Sequence, residues 1–213
     1  MLSYLLRRLV SLTLSLVAAS VAIFAVIEVI PGDPAAFMLG LNASPETVAA
    51  LRSELGLDGG PVERYLGWVG GMLTGDFGIS YTYRTPVADL VADRLAVSGP
   101  LALFALMLAA GMALPIGILA AARRGKAADF AVMGATQVGI AVPNFWFAML
   151  LVLVFAIHWR VLPAGGFPGW DAGPCAALAA LLLPAIALAL PQAAILARVL
   201  RSALIETMGQ DYV

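Results

Sequence analysis

Four apolar stretches, each long enough to cross a membrane, constrain the fold of this chain more than any other feature. They cover residues 9–30, 95–122, 130–157 and 175–197. A helix needs about 20 apolar residues to span about 30 Å of hydrocarbon. The chain is 62% hydrophobic and 12% charged, whereas a soluble domain is about 25% charged. The sequence therefore predicts an all-α integral membrane protein with four spans.

The first stretch has some features of a secretory signal. Arg7 and Arg8 precede it, and "VAAS" offers small residues for cleavage. The apolar run nevertheless continues through "VAIFAVIEVI", beyond the roughly 7–15 residues of a signal core. This length favours a retained span.

The basic residues indicate the orientation. With a cytoplasmic N-terminus, the inner side holds seven of them: Arg7, Arg8, Arg123, Arg124, Lys126, Arg198 and Arg201. The outer side then holds five: Arg52, Arg64, Arg84, Arg94 and Arg160. The first outer loop is long, and long loops count little in the positive-inside rule. We expect a multi-pass protein of the inner (plasma) membrane with a cytoplasmic N-terminus.

The long segment after the first span carries helix signals of its own. "SPETVAALRSELGLD" predicts a helix with Ser44 as N-cap, Pro45 in its first turn and Gly56 as its stop. "GPVERYLGWVGGMLTGDFG" predicts a second helix, and "RTPVADLVADRL" a third, with Thr85 as cap and Pro86 following it. Short amphipathic helices beside a membrane bury their apolar faces against the spans or in the interface.

These features predict three parts of the chain. Residues 1–30 form the N-terminal cytoplasmic flank and the first span, and residues 31–94 form an extracytoplasmic scaffold. Residues 95–213 form the transmembrane core, with the second to fourth spans.

The motifs of common catalytic sites are absent from the sequence. Its one Gly-Lys pair, Gly125–Lys126, is followed by Ala127 and does not form a P-loop. Neither H-E-x-x-H, C-x-x-C nor G-x-S-x-G occurs. Cys175 and His158 are single and far apart, so we expect neither a disulfide nor a metal site. The protein is predicted not to be an enzyme and to hold no cofactor.

The middle of each predicted span lacks charged residues. Ion-driven carriers place ionisable side chains there, so we expect a separate subunit to supply the energy. The spans do contain four prolines, Pro115, Pro143, Pro184 and Pro191. They also contain the amides Gln137, Asn144 and Gln192. These amides are candidates either for contacts between helices or for a polar translocation path.

In chain order, several stretches resemble the permease subunits of dipeptide/oligopeptide-type ABC importers. They are "RRL", "IPGDPAAFMLG", "LRSELGLDGGPVERYLGWVGGMLTGDFGIS", "GILAAARRGKAADF", "VPNFWFAMLLVLVFAIHWRVLPAGG" and "LLLPAIALALPQAAILARVLRSALIETMGQDYV". The resemblance covers nearly the whole chain. One departure is Ser98, Gly99 and Pro100, which are expected to shift the start of the second span.

The resemblance implies a type I importer bundle of six spans, of which about four are present here. It also implies two ATP-binding cassette subunits that bind the ATP, a second homologous permease and an extracytoplasmic solute-binding protein. The lipid bilayer is the other expected partner, and no nucleic acid is expected.

The resemblance also suggests a role for the last residues. The family's counterpart of "LRSALIETMGQDYV" leads into a cytoplasmic loop that contacts the ATPase, so the chain is expected to be truncated at Val213. Candidates for the coupling side are Arg201, Glu206, Asp211 and Tyr212. For Arg198 we favour a simple anchoring role at the helix end.

The sequence leaves the cargo open. Short peptides are favoured, with nickel complexes or glutathione as alternatives in similar permeases. A membrane assembly or anchor subunit without transport activity is a further alternative, as is a fragment of an ion-driven carrier.

Overall fold

A computed structural model describes residues 1–29, 32–40 and 43–210 of the chain. Within these ranges every extended regular element is helical. The α-helices are α1 Leu2–Val29, α2 Pro34–Leu39, α3 Pro45–Glu54, α4 Pro61–Thr74, α5 Val87–Ala122, α6 Ala127–Ala141, α7 Asn144–Leu151 and α8 Pro174–Thr207. A π-helical stretch, Val152–His158, continues α7, and a 3₁₀ turn, Trp170–Ala172, precedes α8.

In the described part of the chain, three helices, α1, α5 and α8, are long and apolar enough to cross a membrane. A fourth span is formed if α6 and the α7–π segment are taken together, although a bend of 95° separates them. The predicted helical membrane fold is confirmed. The span predicted over 130–157 corresponds to this bent pair, and its helix is broken near the middle.

Pro143 explains the break. Proline has no N–H to donate, and its ring forces the preceding residue out of the helical conformation. Val142 accordingly has ψ 123° and Pro143 has ψ 132°, both extended. The next helix begins with the bond from the Phe147 N–H to the Pro143 carbonyl, at 3.1 Å.

The chain divides into two compact units, Met1–Asp93 and Arg94–Val213. In the first unit, α4 packs along the C-terminal half of α1. The Ser20 and Tyr65 hydroxyls are 2.8 Å apart, and the Phe24 ring meets the Tyr65 ring edge-on at 5.4 Å. Ser20 and Phe24 are four residues apart and share one helix face.

The predicted helices of the long segment are largely confirmed. Ser44 caps α3 and accepts a hydrogen bond from the Thr47 N–H at 3.3 Å. Gly56 follows the end of α3 with φ +67°, a value that favours glycine because it lacks a Cβ. The second predicted helix corresponds to α4, whose C-cap is Gly75.

The third predicted helix is not separate. It merges with the second span into α5, whose 36 residues begin at Val87 rather than after a Thr85 cap. Pro86 instead forms an isolated β-bridge with Ile79. The expected shift of the span at Ser98–Pro100 is also wrong, since α5 continues through these residues.

A tryptophan compensates for Pro100 inside α5. Proline deprives the carbonyl four residues earlier, that of Ala96, of its helical donor. The Trp170 Nε1–H donates to this oxygen at 2.8 Å, and the Phe167 ring meets the Trp170 ring edge-on at 5.3 Å. The turn before α8 is thereby tied to the N-terminal part of α5.

Small residues form the core of the second unit. One cluster joins α5 and α8, and its buried members are alanines: Ala109, Ala113, Ala189, Ala193 and Ala197. A second joins α7 and α8 through Leu151, Leu183 and Ala187. Small side chains let membrane helices approach closely, which is where their packing energy comes from.

Gly117 lies where α5 and α8 approach each other closely, so a substitution there tests the contact. A Cβ at this position would lie 3.0 Å from the Ala197 carbonyl oxygen and 3.0 Å from Leu200 Cδ2. We expect Gly117→Ala to destabilise the protein by about 1–3 kcal/mol, the usual range for overpacking. Thermal denaturation of the purified protein in detergent measures the change.

Gly111 is the matched control. It lies in the same helix, and a Cβ added there would meet nothing within 4 Å. Alanine at this position improves helix propensity by about 0.5–1 kcal/mol. Equal stabilities for the two variants would contradict the assigned α5–α8 contact.

Candidate functional site

The polar side chains of the second unit converge between α6 and the C-terminal part of α8. Arg198 and Arg201 lie three residues apart, on the same side of α8. Both donate hydrogen bonds to α6. We refer to Asp129, Thr136, Gln137, Arg198 and Arg201 as the polar seam.

Arg201 and Asp129 form a two-pronged ion pair. Arg201 Nε donates to Asp129 Oδ1 at 2.5 Å, and Arg201 Nη2 donates to Asp129 Oδ2 at 2.6 Å. The Asp129 side chain is 3% exposed and that of Arg201 is 23% exposed. Paired bonds of this kind are the strongest that side chains form, because both partners are charged and their planar groups match.

The hairpin between α5 and α6 completes the surroundings of Asp129. The Gly125 N–H donates to Asp129 Oδ2 at 3.0 Å. Gly125 has φ +74°, a conformation that is favourable for glycine. Asp129 also lies in the first turn of α6, where the helix dipole stabilises a negative charge.

Arg198 contacts α6 about two turns further along. Its Nη2 donates to Gln137 Oε1 at 2.9 Å and makes a longer contact of 3.4 Å to Thr136 Oγ1. Thr136 is buried, and its hydroxyl donates to the Met133 carbonyl at 2.9 Å. Arg198 is therefore a contact between helices and not only an anchor at a helix end.

This arrangement can position helices, but it lacks the groups of a catalytic centre. A nucleophile would need a neighbouring base, whereas the carboxylate here accepts hydrogen bonds from a guanidinium and a backbone amide. Among the described residues there is also no group of three or more side chains that could hold a metal ion.

Two of the four residues predicted for the coupling side, Arg201 and Glu206, lie on α8 in the described part of the chain. Arg201 is engaged by Asp129, and Glu206 is exposed near the end of α8. Asp211 and Tyr212 lie outside the described residues.

The three amides predicted for a path are all exposed, and they lie on three helices. Gln137 on α6 is held by Arg198, Asn144 is the first residue of α7, and Gln192 lies on α8. In the described part of the chain, no hydrogen bond joins any two of them.

Sequence reasoning missed Asp129 and Thr136. Asp129 follows the basic hairpin directly. The helix dipole alone accounts for an acidic residue in the first turn of a helix, so Asp129 gives no indication of a distant partner. Its partner is 72 residues away, and a pairing over that distance leaves no mark in the local pattern. The spacing of Arg198 and Arg201 is the one available hint of a polar helix face.

Two family profiles match consecutive parts of the chain. The profile described as "Binding-prot-dependent transport system membrane comp, N-term" matches residues 1–102. The profile described as "Binding-protein-dependent transport system inner membrane component" matches residues 113–213.

Curated relatives are similar over the whole chain. The "Dipeptide transport system permease protein DppB" of Escherichia coli K12 is 32% identical over 237 residues, covering 100% of this chain and 70% of the relative. A "Putative peptide transport system permease protein" of Brucella suis is 35% identical over 213 residues, covering 100% and 68%. A "Probable peptide ABC transporter permease protein" of Sinorhizobium fredii is 34% identical over 209 residues, covering 98% and 67%.

The chain belongs to the family of binding-protein-dependent transport system inner membrane components. The family assignment made from the sequence is therefore confirmed, and the protein is a membrane permease. Within the permease, the polar seam falls inside the second family profile, which spans residues 113–213.

The ion pair of the permease predicts an asymmetry between single and double variants. Removing one partner of a buried pair leaves an uncompensated charge, whereas removing both is much milder. We expect Arg201→Met to lower the melting temperature by several degrees and Arg201→Met with Asp129→Asn to recover part of the loss. Thermal denaturation in detergent measures both variants.

Arg123→Met is the matched control, since Arg123 is exposed on the neighbouring hairpin. It should leave the melting temperature nearly unchanged. If the double variant is less stable than Arg201→Met alone, the uncompensated charge is not the reason for the loss.

Proposed function

We propose that this protein is a permease subunit of an ATP-binding cassette importer for short peptides. The observation that carries the proposal is its similarity, over 98–100% of the chain, to relatives named as dipeptide and peptide permeases. The protein acts as part of a gated path through the membrane and catalyses no reaction itself.

The energy comes from partner subunits. Two ATP-binding cassette subunits bind and hydrolyse the ATP, and the permease needs no cofactor of its own; the lack of a P-loop in this sequence is consistent with that division. A second homologous permease completes the path, and an extracytoplasmic binding protein delivers the peptide. The family description, which names binding-protein dependence, supports this assembly.

The N-terminus and the α5–α6 hairpin face the cytoplasm in this proposal. Short flanks rich in arginine and lysine stay inside, and the hairpin supplies Arg123, Arg124 and Lys126 within four residues. The polar seam then lies towards the cytoplasmic side, where the ATP-binding subunits dock. Residues 31–94 lie outside, as a scaffold.

The amides and the chain end have different roles. Gln137, Asn144 and Gln192 contribute polar groups to the translocation path. Glu206, Asp211 and Tyr212 belong to the side that meets the ATP-binding subunits, to which the polar end of α8 leads.

The single native cysteine gives a direct test of orientation. Cys175 is exposed in the first turn of α8, on the outer side in the proposed topology. We expect a membrane-impermeant maleimide to label it in intact spheroplasts.

Lys126→Cys in a Cys175→Ser background is the matched control. It should be labelled only after the membrane is permeabilised. The reverse pattern would contradict the topology.

Purification and uptake test the function. The permease, tagged at its N-terminus and extracted from its own host, should bring with it a pair of ATP-binding subunits and a second permease. Reconstituted with the binding protein, the complex should import a labelled dipeptide only when ATP is present and the ATP-binding subunits are active.

Competition identifies the cargo. Unlabelled dipeptides should abolish the uptake, while nickel salts and glutathione should leave it unchanged. Competition by nickel or glutathione alone would overturn the peptide assignment. Purification without any ATP-binding subunit would instead favour an assembly or anchor protein.

A further inference from the structure

Two different kinds of contact hold the broken span against α8. The α6 arm is joined to α8 by hydrogen bonds from Arg198 and Arg201. The α7 arm is joined to it by an apolar cluster of Leu151, Leu183 and Ala187. The arms therefore differ in how they respond when α8 moves.

The α6 contact is directional. The Arg201–Asp129 bonds are 2.5 and 2.6 Å long, and charge-assisted bonds of this geometry weaken steeply when the groups turn or separate. Asp129 is fixed to the hairpin as well, through the Gly125 N–H. A displacement of the C-terminal end of α8 thus carries the start of α6 and the hairpin with it.

The α7 contact is not directional. Leucine and alanine side chains gain their energy from many weak contacts, and packed helices slide by small steps while keeping such contacts. Between the arms, Val142 and Pro143 are extended, so helical hydrogen bonding is interrupted at the bend. The backbone there can take up a change in angle between the arms.

Arg201 directs two of its five guanidinium N–H groups at Asp129 in this conformation. Its Nε and Nη2 both donate to Asp129, and its side chain is 23% exposed. Asp129 is therefore the contact through which a movement of Arg201 reaches α6.

We propose that Asp129 and Arg201 are positioning residues that convey movement of the α8 end to α6 and so couple ATP hydrolysis to opening of the path at the Val142–Pro143 bend. This inference rests on the proposed importer function. This role requires no contact of either residue with the cargo or the nucleotide.

The test uses the complete transporter, reconstituted in proteoliposomes with its binding protein. Two rates are measured on each preparation: dipeptide uptake and ATP hydrolysis. Their ratio separates coupling from assembly, because a loss of correctly folded complex lowers both rates in parallel and leaves the ratio unchanged.

Asp129→Asn keeps the shape of the side chain and removes its charge. We expect it to lower the ratio of uptake to hydrolysis about tenfold, within the usual range for coupling between sites. Arg201→Lys keeps the charge but loses the two-pronged geometry, and its ratio should lie between those of Asp129→Asn and the wild type.

Exchanging the pair, Asp129→Arg with Arg201→Asp, should restore part of the ratio. Arg123→Gln, on the exposed part of the hairpin, should keep the wild-type ratio.

Other results overturn the inference. If Asp129→Asn lowers uptake and hydrolysis equally, the pair is only structural, and if it changes neither rate, the pair has no role in coupling. An Arg123→Gln variant as impaired as Asp129→Asn would point to the charge of the hairpin. Failure of the proposed function itself is recognised separately, since the wild-type preparation would then show no ATP-dependent uptake.

Discussion

This structure depends on one constraint: the backbone N–H and carbonyl groups inside the membrane must form their hydrogen bonds without water. In lipid an unpaired N–H or carbonyl is so unfavourable that spans are helices or closed barrels, and non-helical backbone is tolerated only where it is buried in protein or lines a cavity. α5, with 36 residues, and α8, with 34, are the direct result. The prolines are accommodated in different ways, and the helices continue through Pro115, Pro184 and Pro191. Pro100 is accommodated by the Trp170 donor, whereas Pro143 ends one helix and begins another.

The same constraint limits how the helices recognise each other. Apolar side chains gain little by leaving lipid for a helix interface, so close packing of small residues and a few polar contacts set the arrangement. The α5–α8 contact uses the first device, with alanines and Gly117. The α6–α8 contact uses the second, with Asp129 and Arg201. The two kinds of contact are complementary. The alanines set the distance between α5 and α8, and the ion pair sets the register of α6 against α8.

The sequence predicted those features that are encoded locally. Ser44 with Pro45 marked the start of α3, and hydropathy marked the spans, because caps and apolar runs act through neighbouring residues. The fusion of the third outer helix with α5 was missed because Gly99 and Pro100 resemble a boundary, and the compensating donor, Trp170, lies 74 residues from Ala96. The sequence did not predict the 95° bend either. Pro143 predicts a kink or break in the helix, but the angle of the bend depends on the helices packed around it. The Asp129–Arg201 pair could not be predicted, since nothing near either residue specifies the other.

Polar pairing at one place in an otherwise apolar bundle has a consequence for motion. Leu151 and its neighbours fit several relative positions of α7 and α8 with similar energy, since dispersion contacts are weak and numerous. A guanidinium and a carboxylate at 2.5 Å have one favourable geometry. A bundle with both kinds of contact therefore has parts that slide and parts that move together. In the coupling that we propose, the change in angle falls at the Val142–Pro143 bend, and the hairpin end of α6 moves together with α8.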